Sequence, residues 1–338
     1  MAIDVTIRAD GGPDIGYGHL IRSNALSEEF LRRNHRVTVA TTTPQAVHSV
    51  FPNTVEVTEL PSRGDSGPFV NWVNTNSPDV VFTDSYPVDT NYQREIRDQV
   101  PLAVLQDDDC HNICADLFIN GNLYAEDLDY EFVGTEPQLC LGPDYVLLRR
   151  EICEQANDEP PWREQPERAI VIMGGSDIAN LTPTVVRAFD GFDIHVDTIV
   201  GPGFSDAQEQ SIRAAGEEVS TEVSVARDPT DLVDRMFQAD FAVSTSSSTT
   251  YELLALGTPI ISVPVADNQE PIAAALQKLD IATVHNCIER RGQLENTIEE
   301  YITDHELRYE RRQCGRRLVD CKGTERITKC ILDIATRD

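Results

Sequence analysis

Residues 8–26 read RADGGPDIGYGHLIRSNAL, and the fold follows from how this stretch divides. Just before it, Ile3 to Ile7 is a short run with β-branched residues; within and beyond it, Leu20, Ile21, Ala25, Leu26, Phe30 and Leu31 recur at helical spacing. The unit is therefore a strand, a glycine-rich loop and a helix. That places His19 near a helix N-terminus, where partial positive charge and unpaired N–H groups disfavour an imidazolium. A histidine there is either a capping or packing residue or a neutral base beside a ligand loop.

The same alternation continues outward. Strand-like runs at 36–40, 55–60, 80–83 and 103–105 are separated by helical patterns near 19–33, 69–76 and 90–99, the signature of a parallel α/β sheet. After Tyr145 to Arg150 the chain becomes polar and proline-rich, in ICEQANDEPPWREQPERA at 152–169, which reads as a connection between domains. A second α/β set follows, with strands at 169–173, 195–200, 241–244 and 259–263 and helices near 181–189, 206–215, 230–237, 248–256 and 270–278. The expected organisation is an N-terminal α/β domain over 1–150, a second over 165–302, and a helical C-terminal extension over 303–338, with the two sheets facing a cleft.

Composition narrows the function classes. The 338 residues carry 57 acidic against 28 basic side chains, a formal net charge of −29. Lysine occurs only at 278, 322 and 329. Such a surface repels nucleic acid and anionic membranes, and acidic residues scattered through a chain that is 40% apolar suit solubility in concentrated salt, the mark of a halophile. No run of about 18 apolar residues and no basic leader followed by an apolar stretch occurs, so the expectation is a soluble cytoplasmic protein. The eight cysteines, at 110, 114, 140, 153, 287, 314, 321 and 330, form no CxxC pair. They read as reduced and packed, and no metal site is expected at Cys110, His111 and Cys114.

Ligand-binding features gather in the second half. In IVIMGGSDIANLT, 170–182, a buried strand ends in Gly174 and Gly175 and then offers Ser176, Asp177 and Asn180; paired glycines let backbone N–H groups approach a ligand. In ADFAVSTSSSTTYELLALGTPIISVPVADNQ, 239–269, an apolar strand runs into a hydroxyl-rich helix start at Ser247 and Ser248, a lysine-free site for a pyrophosphate. Glu252, one turn further, would accept hydrogen bonds from ribose hydroxyls, and Asn268 and Gln269 bring amides suited to a sugar. The bland alternatives are an ordinary strand-to-helix turn and a serine-capped helix. IGYGHL lacks the third glycine of the dinucleotide fingerprint, and neither GxxxxGK[ST] nor GxSxG occurs, which disfavours hydride transfer, P-loop hydrolysis and the serine-hydrolase route.

Taken in order, IRADGGPDIGYGHLIR, FTDSYPV at 82–88, DDDCHNICADLFIN at 107–120, LGPDYVLLRREI at 141–152, IMGGSDIANLT, STSSSTTYELLALG and DNQE at 267–270 resemble one family. It is that of the UDP-2,4-diacetamido-2,4,6-trideoxy-β-L-altropyranose hydrolases of pseudaminic acid biosynthesis and their spore-coat polysaccharide relatives. The resemblance implies a GT-B-like fold of two Rossmann-like domains, similar to the enzyme that adds N-acetylglucosamine to the peptidoglycan lipid precursor. It implies metal-independent, cofactor-free hydrolysis of a UDP-sugar with inversion, His19 of the IGxGH motif serving as the base. Asp10, Asp84 and Tyr86 would then orient water or sugar, with Gly16, Gly18 and Arg22 beside them, and Arg149 would reach a phosphate or sugar group. Residues 174–180 and 247–269 would hold UDP. The other histidines, 35, 48, 111, 195, 285 and 305, read as structural or solvated. A glycosyltransferase with the same UDP-sugar donor, an epimerase that eliminates UDP, and a non-catalytic nucleotide-sugar-binding module remain open as alternatives.

Overall fold

The computed structural model describes residues 2–12, 14–286 and 292–337, so Cys287 falls outside it. The chain forms two compact units: unit 1 is the chain up to Arg150 joined by the segment from Lys322 onward, and unit 2 is Glu151–Cys321.

Unit 1 begins β1 (Asp4–Ala9), α1 (Gly18–Arg32), β2 (Arg36–Thr41), α2 (Pro44–Val50), β3 (Glu56–Glu59), α3 (Ser66–Asn76) and β4 (Val80–Asp84). It continues with α4 (Thr90–Arg97), β5 (Leu102–Leu105), β6 (Leu117–Asn120) and β7 (Gln138–Leu141). The seven strands lie in the order 3-2-1-4-5-6-7, and each pairing is parallel. In register, Val5 sits beside Val37 and Val80, and Ile7 beside Val39 and Phe82. All of these are buried, as expected of a parallel sheet covered on both faces. Asp89 starts α4 by accepting a hydrogen bond from the Tyr92 N–H at 2.9 Å.

Helix α5 (Arg150–Gln155) opens the connection to unit 2, which holds β8 (Arg168–Ile172), α6 (Thr182–Arg187), β9 (His195–Val200), α7 (Asp206–Glu218), β10 (Glu222–Arg227) and α8 (Leu232–Gln238). Then come β11 (Phe241–Ser244), α9 (Ser248–Leu256), β12 (Ile260–Ser262), α10 (Glu270–Lys278), β13 (Ala282–Val284), α11 (Gln293–Thr303) and α12 (His305–Leu318). Its six strands, again parallel, lie in the order 10-9-8-11-12-13. The polar segment 156–164 is fastened by arginines of α12 that donate to its backbone carbonyls. Arg308 reaches Arg163 and Glu164 at 2.9 and 2.8 Å, Arg312 reaches Pro161 at 2.9 Å, and Arg316 reaches Asp158 and Ala156 at 3.0 Å.

The segment 303–338, expected as one extension, is shared between the units. Helix α12 packs in unit 2 against α9, while α13 (Gly323–Ala335) lies in unit 1. The reason is apolar: Ile327, Ile331 and Ile334 enter the core cluster of Ile7, Leu20, Leu26, Phe30, Phe82 and Ile119. Gly323 starts the helix hard against the Val146 backbone, where any side chain would collide. Ile331→Ala is expected to cost about 2–5 kcal/mol. Each unit carries one tryptophan, Trp72 or Trp162, so urea unfolding followed by Trp72 fluorescence in a Trp162→Phe background should show the loss in unit 1. An unchanged midpoint would contradict the packing.

Candidate functional site

In each unit the strand order reverses between two central neighbours, β1 and β4 in unit 1 and β8 and β11 in unit 2. The chain leaves the carboxyl ends of those neighbours in opposite directions, which opens the crevice where doubly wound sheets bind ligands. Beyond β1 come Asp10 and the glycine loop leading to α1; β4 ends at Asp84.

His19 is the second residue of α1 and is 8% exposed. Its Nδ1 lies 2.6 Å from Asp84 Oδ1, and the Tyr86 ring stands edge-on to the imidazole with centroids 4.7 Å apart. Arg22, three residues on, faces the same carboxylate: its Nε donates to Asp84 Oδ2 and its Nη2 to Oδ1, each at 2.6 Å. The far edge of the same guanidinium donates to Asp107, from Nη1 to Oδ1 and Nη2 to Oδ2, both at 2.9 Å. Burial alone would raise the Asp84 carboxyl, but Arg22 and His19 outweigh it and hold the group well below the usual carboxylate range. Asp84 is therefore ionised and can only accept. Two lone pairs cannot approach to 2.6 Å, so a proton sits on His19 Nδ1, and in the neutral ring the lone pair is then on Nε2.

These residues line a pocket open to solvent, with Thr83, Ser85, Gln106, Asp108, Cys110 and His111 among its walls. Thr83 Oγ1, buried on the wall, has no hydrogen-bond partner among the described residues. A Cβ added at Gly16 or Gly18 would meet nothing within 4 Å, so the loop leaves open space at those points.

Two residues expected to meet a ligand are occupied within the protein. Arg22 directs all three guanidinium nitrogens at carboxylates. Asp10 is 1% exposed; it accepts from Arg8 Nη1 at 2.7 Å, from the Thr42 N–H at 2.7 Å and hydroxyl at 2.9 Å, and from Thr41 Oγ1 at 3.1 Å. Burial opposes its ionisation, yet Arg8 and the Thr42 donors bring the carboxyl below its ordinary value. Asp10 therefore neutralises the wholly buried Arg8 and ties β1 to the β2 loop, leaving no oxygen to orient water or sugar. Arg149 is half-buried just ahead of α5 in unit 1.

In unit 2, Gly174 to Ser176 follow β8, and Ser247 caps α9 without a side-chain hydrogen bond to its first turn. The glycine loop rests on a second one that the sequence analysis did not single out, Gly201 to Phe204 beyond β9. Gly203 N–H donates to Gly175 O at 2.9 Å, and a Cβ on Gly201 would stand 2.6 Å from that oxygen. The signal was present as VGPGF directly after a strand. Asp177, expected to face a ligand, turns inward instead: its carboxylate accepts from the N–H groups of Leu181 and Thr182 at 2.9 and 2.8 Å and from the Thr182 hydroxyl at 2.6 Å, starting α6. Asn180 sits in the same turn at φ 52°. Glu252 is buried on α9, and Asn268 is exposed in the turn before α10. Gln269 Oε1 accepts from the Val265 N–H at 2.9 Å.

Two doubly wound parallel sheets of this order constitute the α/β architecture of the GT-B glycosyltransferases. MurG of Acinetobacter baumannii superposes with a TM-score of 0.72 at 12% identity, covering 98% of this chain and 99% of that one. CalG4, the calicheamicin glycosyltransferase, gives 0.68 at 18% identity, covering 99% of both chains. No family model matches the sequence. Among curated proteins the chain is similar to the spore coat polysaccharide biosynthesis protein SpsG of Bacillus subtilis, 21% identical over 348 aligned positions and 98% of each chain. It is 27% identical over 182 residues to the UDP-2,4-diacetamido-2,4,6-trideoxy-beta-L-altropyranose hydrolase of Campylobacter jejuni, covering 53% of this chain and 62% of that protein. A Methanocaldococcus jannaschii protein, MJ1062, is 21% identical over 267 residues, and the chain spans about half of it, 54%, against 76% of its own length. No helix among the described residues is long and apolar enough to cross a membrane.

Removing the charge of Asp10 strands Arg8, so Asp10→Asn should destabilise unit 1 by about 3–5 kcal/mol at pH 7. A depressed carboxyl contributes stability above its unfolded value of about 4, and that contribution is lost as pH falls through the lower folded value. The difference in urea midpoint between wild type and Asp10→Asn should therefore narrow below about pH 4. A difference independent of pH would assign the effect to shape alone.

Proposed function

We propose that the protein hydrolyses a UDP-linked diacetamido-trideoxy sugar to UDP and free sugar in the biosynthesis of a surface polysaccharide or nonulosonic acid. The observation that carries this reading is the 2.6 Å pairing of His19 Nδ1 with the buried Asp84 carboxylate at the switch point of unit 1. It gives the pocket an imidazole with a free Nε2 lone pair, which is what a general base for water requires. The name of the Campylobacter relative supports the substrate class, and that of the Bacillus relative supports a place in polysaccharide biosynthesis.

In the proposed reaction water attacks the anomeric carbon and gives its proton to His19 Nε2, while the bond from that carbon to the phosphate oxygen breaks with inversion. UDP leaves as an anion, so one base suffices and no strong acid is needed. Unit 1 supplies the base and the sugar pocket, with Tyr86 beside the imidazole. Unit 2 is the nucleotide-binding part, where N–H groups at the start of α9 and in the loop of Gly174, Gly175 and Ser176 receive the diphosphate. Glu252, Asn268 and Gln269 are assigned to the ribose and sugar hydroxyls. Of the earlier assignments, Asp10 and Asp177 become supports of the two loops.

Transfer to an acceptor hydroxyl is the second reading, favoured by the glycosyltransferases among the solved structures of like fold. Incubation with UDP-linked diacetamido-trideoxyhexoses and no acceptor separates the two. Stoichiometric UDP and free sugar are expected; turnover that appears only with an acceptor would establish the second reading. His19→Ala should lower UDP release by about 10²- to 10⁴-fold while UDP affinity, measured by calorimetry, stays close to wild type. Loss of UDP binding would place His19 with the nucleotide.

A further inference from the structure

We propose that Arg22, held between two carboxylates, is a positioning residue that fixes which nitrogen of His19 carries the proton, and that Asp107 is the anchor that makes it do so. The inference rests on His19 acting as the base.

Arg22 has one N–H on Nε and two on each Nη. The Nε hydrogen goes to Asp84 Oδ2, and the two on Nη2 face Asp84 Oδ1 at 2.6 Å and Asp107 Oδ2 at 2.9 Å. Yet Nη2 also lies 3.1 Å from His19 Nδ1. A guanidinium hydrogen aimed there would make Nδ1 an acceptor, move the imidazole proton to Nε2 and abolish the base. What prevents this is geometry. With Asp107 gripping the Nη1 and Nη2 edge and Asp84 the Nε and Nη2 edge, the planar guanidinium is forked on both sides and cannot turn toward the ring.

Asp107 is itself fixed. Asn122 Nδ2 donates to its Oδ1 at 2.9 Å, and the Tyr124 hydroxyl donates to its backbone carbonyl at 2.9 Å. A rigid chain thus runs from the end of β6 through Asp107 and Arg22 to the imidazole. Only Asp84 touches the ring nitrogen as acceptor, and Asp107 acts through Arg22, so neither Arg22 nor Asp107 takes part in the bond changes. The charges also matter: one arginine between two aspartates leaves the cluster net negative beside a ring that must become cationic as water loses its proton.

The test reads the tautomer directly and needs no substrate. Full-length protein labelled at the histidine ring nitrogens is measured by ¹⁵N NMR at pH 8, with His19→Gln used to assign the His19 signals. Wild type is expected to show a protonated Nδ1 and a bare Nε2. Asp107→Ala should move a substantial fraction of His19 to the opposite tautomer, and Arg22→Lys, a point charge without a fork, should fail to preserve the wild-type spectrum. With a UDP-linked diacetamido-trideoxyhexose, Asp107→Ala should lower kcat by about 10- to 100-fold with little change in KM. Asp107→Asn, which keeps one acceptor oxygen for Arg22, should fall between; if the alanine variant does not fold, this variant carries the test. A single Nδ1-protonated tautomer retained in folded Asp107→Asn and Arg22→Lys would overturn the proposal. Failure of every UDP-sugar to turn over in wild type, with the tautomer shift intact, would instead overturn the hydrolase reading.

Discussion

A carboxylate sealed at the end of a parallel strand cannot stay charged without a cation, and at Asp84 that cation is Arg22. The rest of unit 1 is arranged so that the two meet. Helix α1 must begin where it does for His19, Arg22 and Ser23 to share one face, at the spacing of a helical turn. Strand β4 must lie beside β1 for Asp84 to end under that face. β5 must follow on the other side for Asp107 to close the second fork. The order of the sheet thereby decides an arrangement of charge, and the charge decides the state of one imidazole.

Much of this was legible one residue at a time and little of it in pairs. The helical spacing after IGYGH placed His19 and Arg22 on α1, and the apolar run at 80–83 placed Asp84 at a strand end. The family resemblance then implied that Arg22 and Asp10 meet a ligand. Arg8 is only two residues from Asp10, but Asp84 and Asp107 lie 62 and 85 residues from Arg22, and Thr41 and Thr42 lie 31 and 32 from Asp10, separations that only strand order brings together. A buried arginine with filled forks and an exposed one awaiting phosphate look identical in sequence. The strands that escaped notice fail for related reasons. β10 is only half-buried along most of its length, so it lacks the apolar run of a central strand, while β13 has only three residues and β6 only four. β7 alternates too briefly to register.

The charge imbalance has a structural counterpart. The few basic side chains are largely arginines, and several work inside the protein. Arg8 balances Asp10, Arg22 balances Asp84 and Asp107, and the α12 arginines satisfy the carbonyls of a proline-rich segment that has no secondary structure to pair with. Carboxylates outnumber them and cover the surface. Guanidinium suits this interior work because it offers five donors in a plane and does not lose its charge.

The return of α13 to unit 1 bears on how the protein is made. Its three isoleucines complete a core whose other members precede Arg150, yet they are synthesised only after all of unit 2. At about 5–20 residues per second, the intervening segment takes roughly 10 to 30 s. For that interval the first-made sheet carries an uncovered apolar strip on the faces of α1, β4 and β6 that α13 later occupies. The usual order, in which an N-terminal domain closes before the next emerges, is reversed here. The unit that bears His19 is the first to start folding and the last to finish.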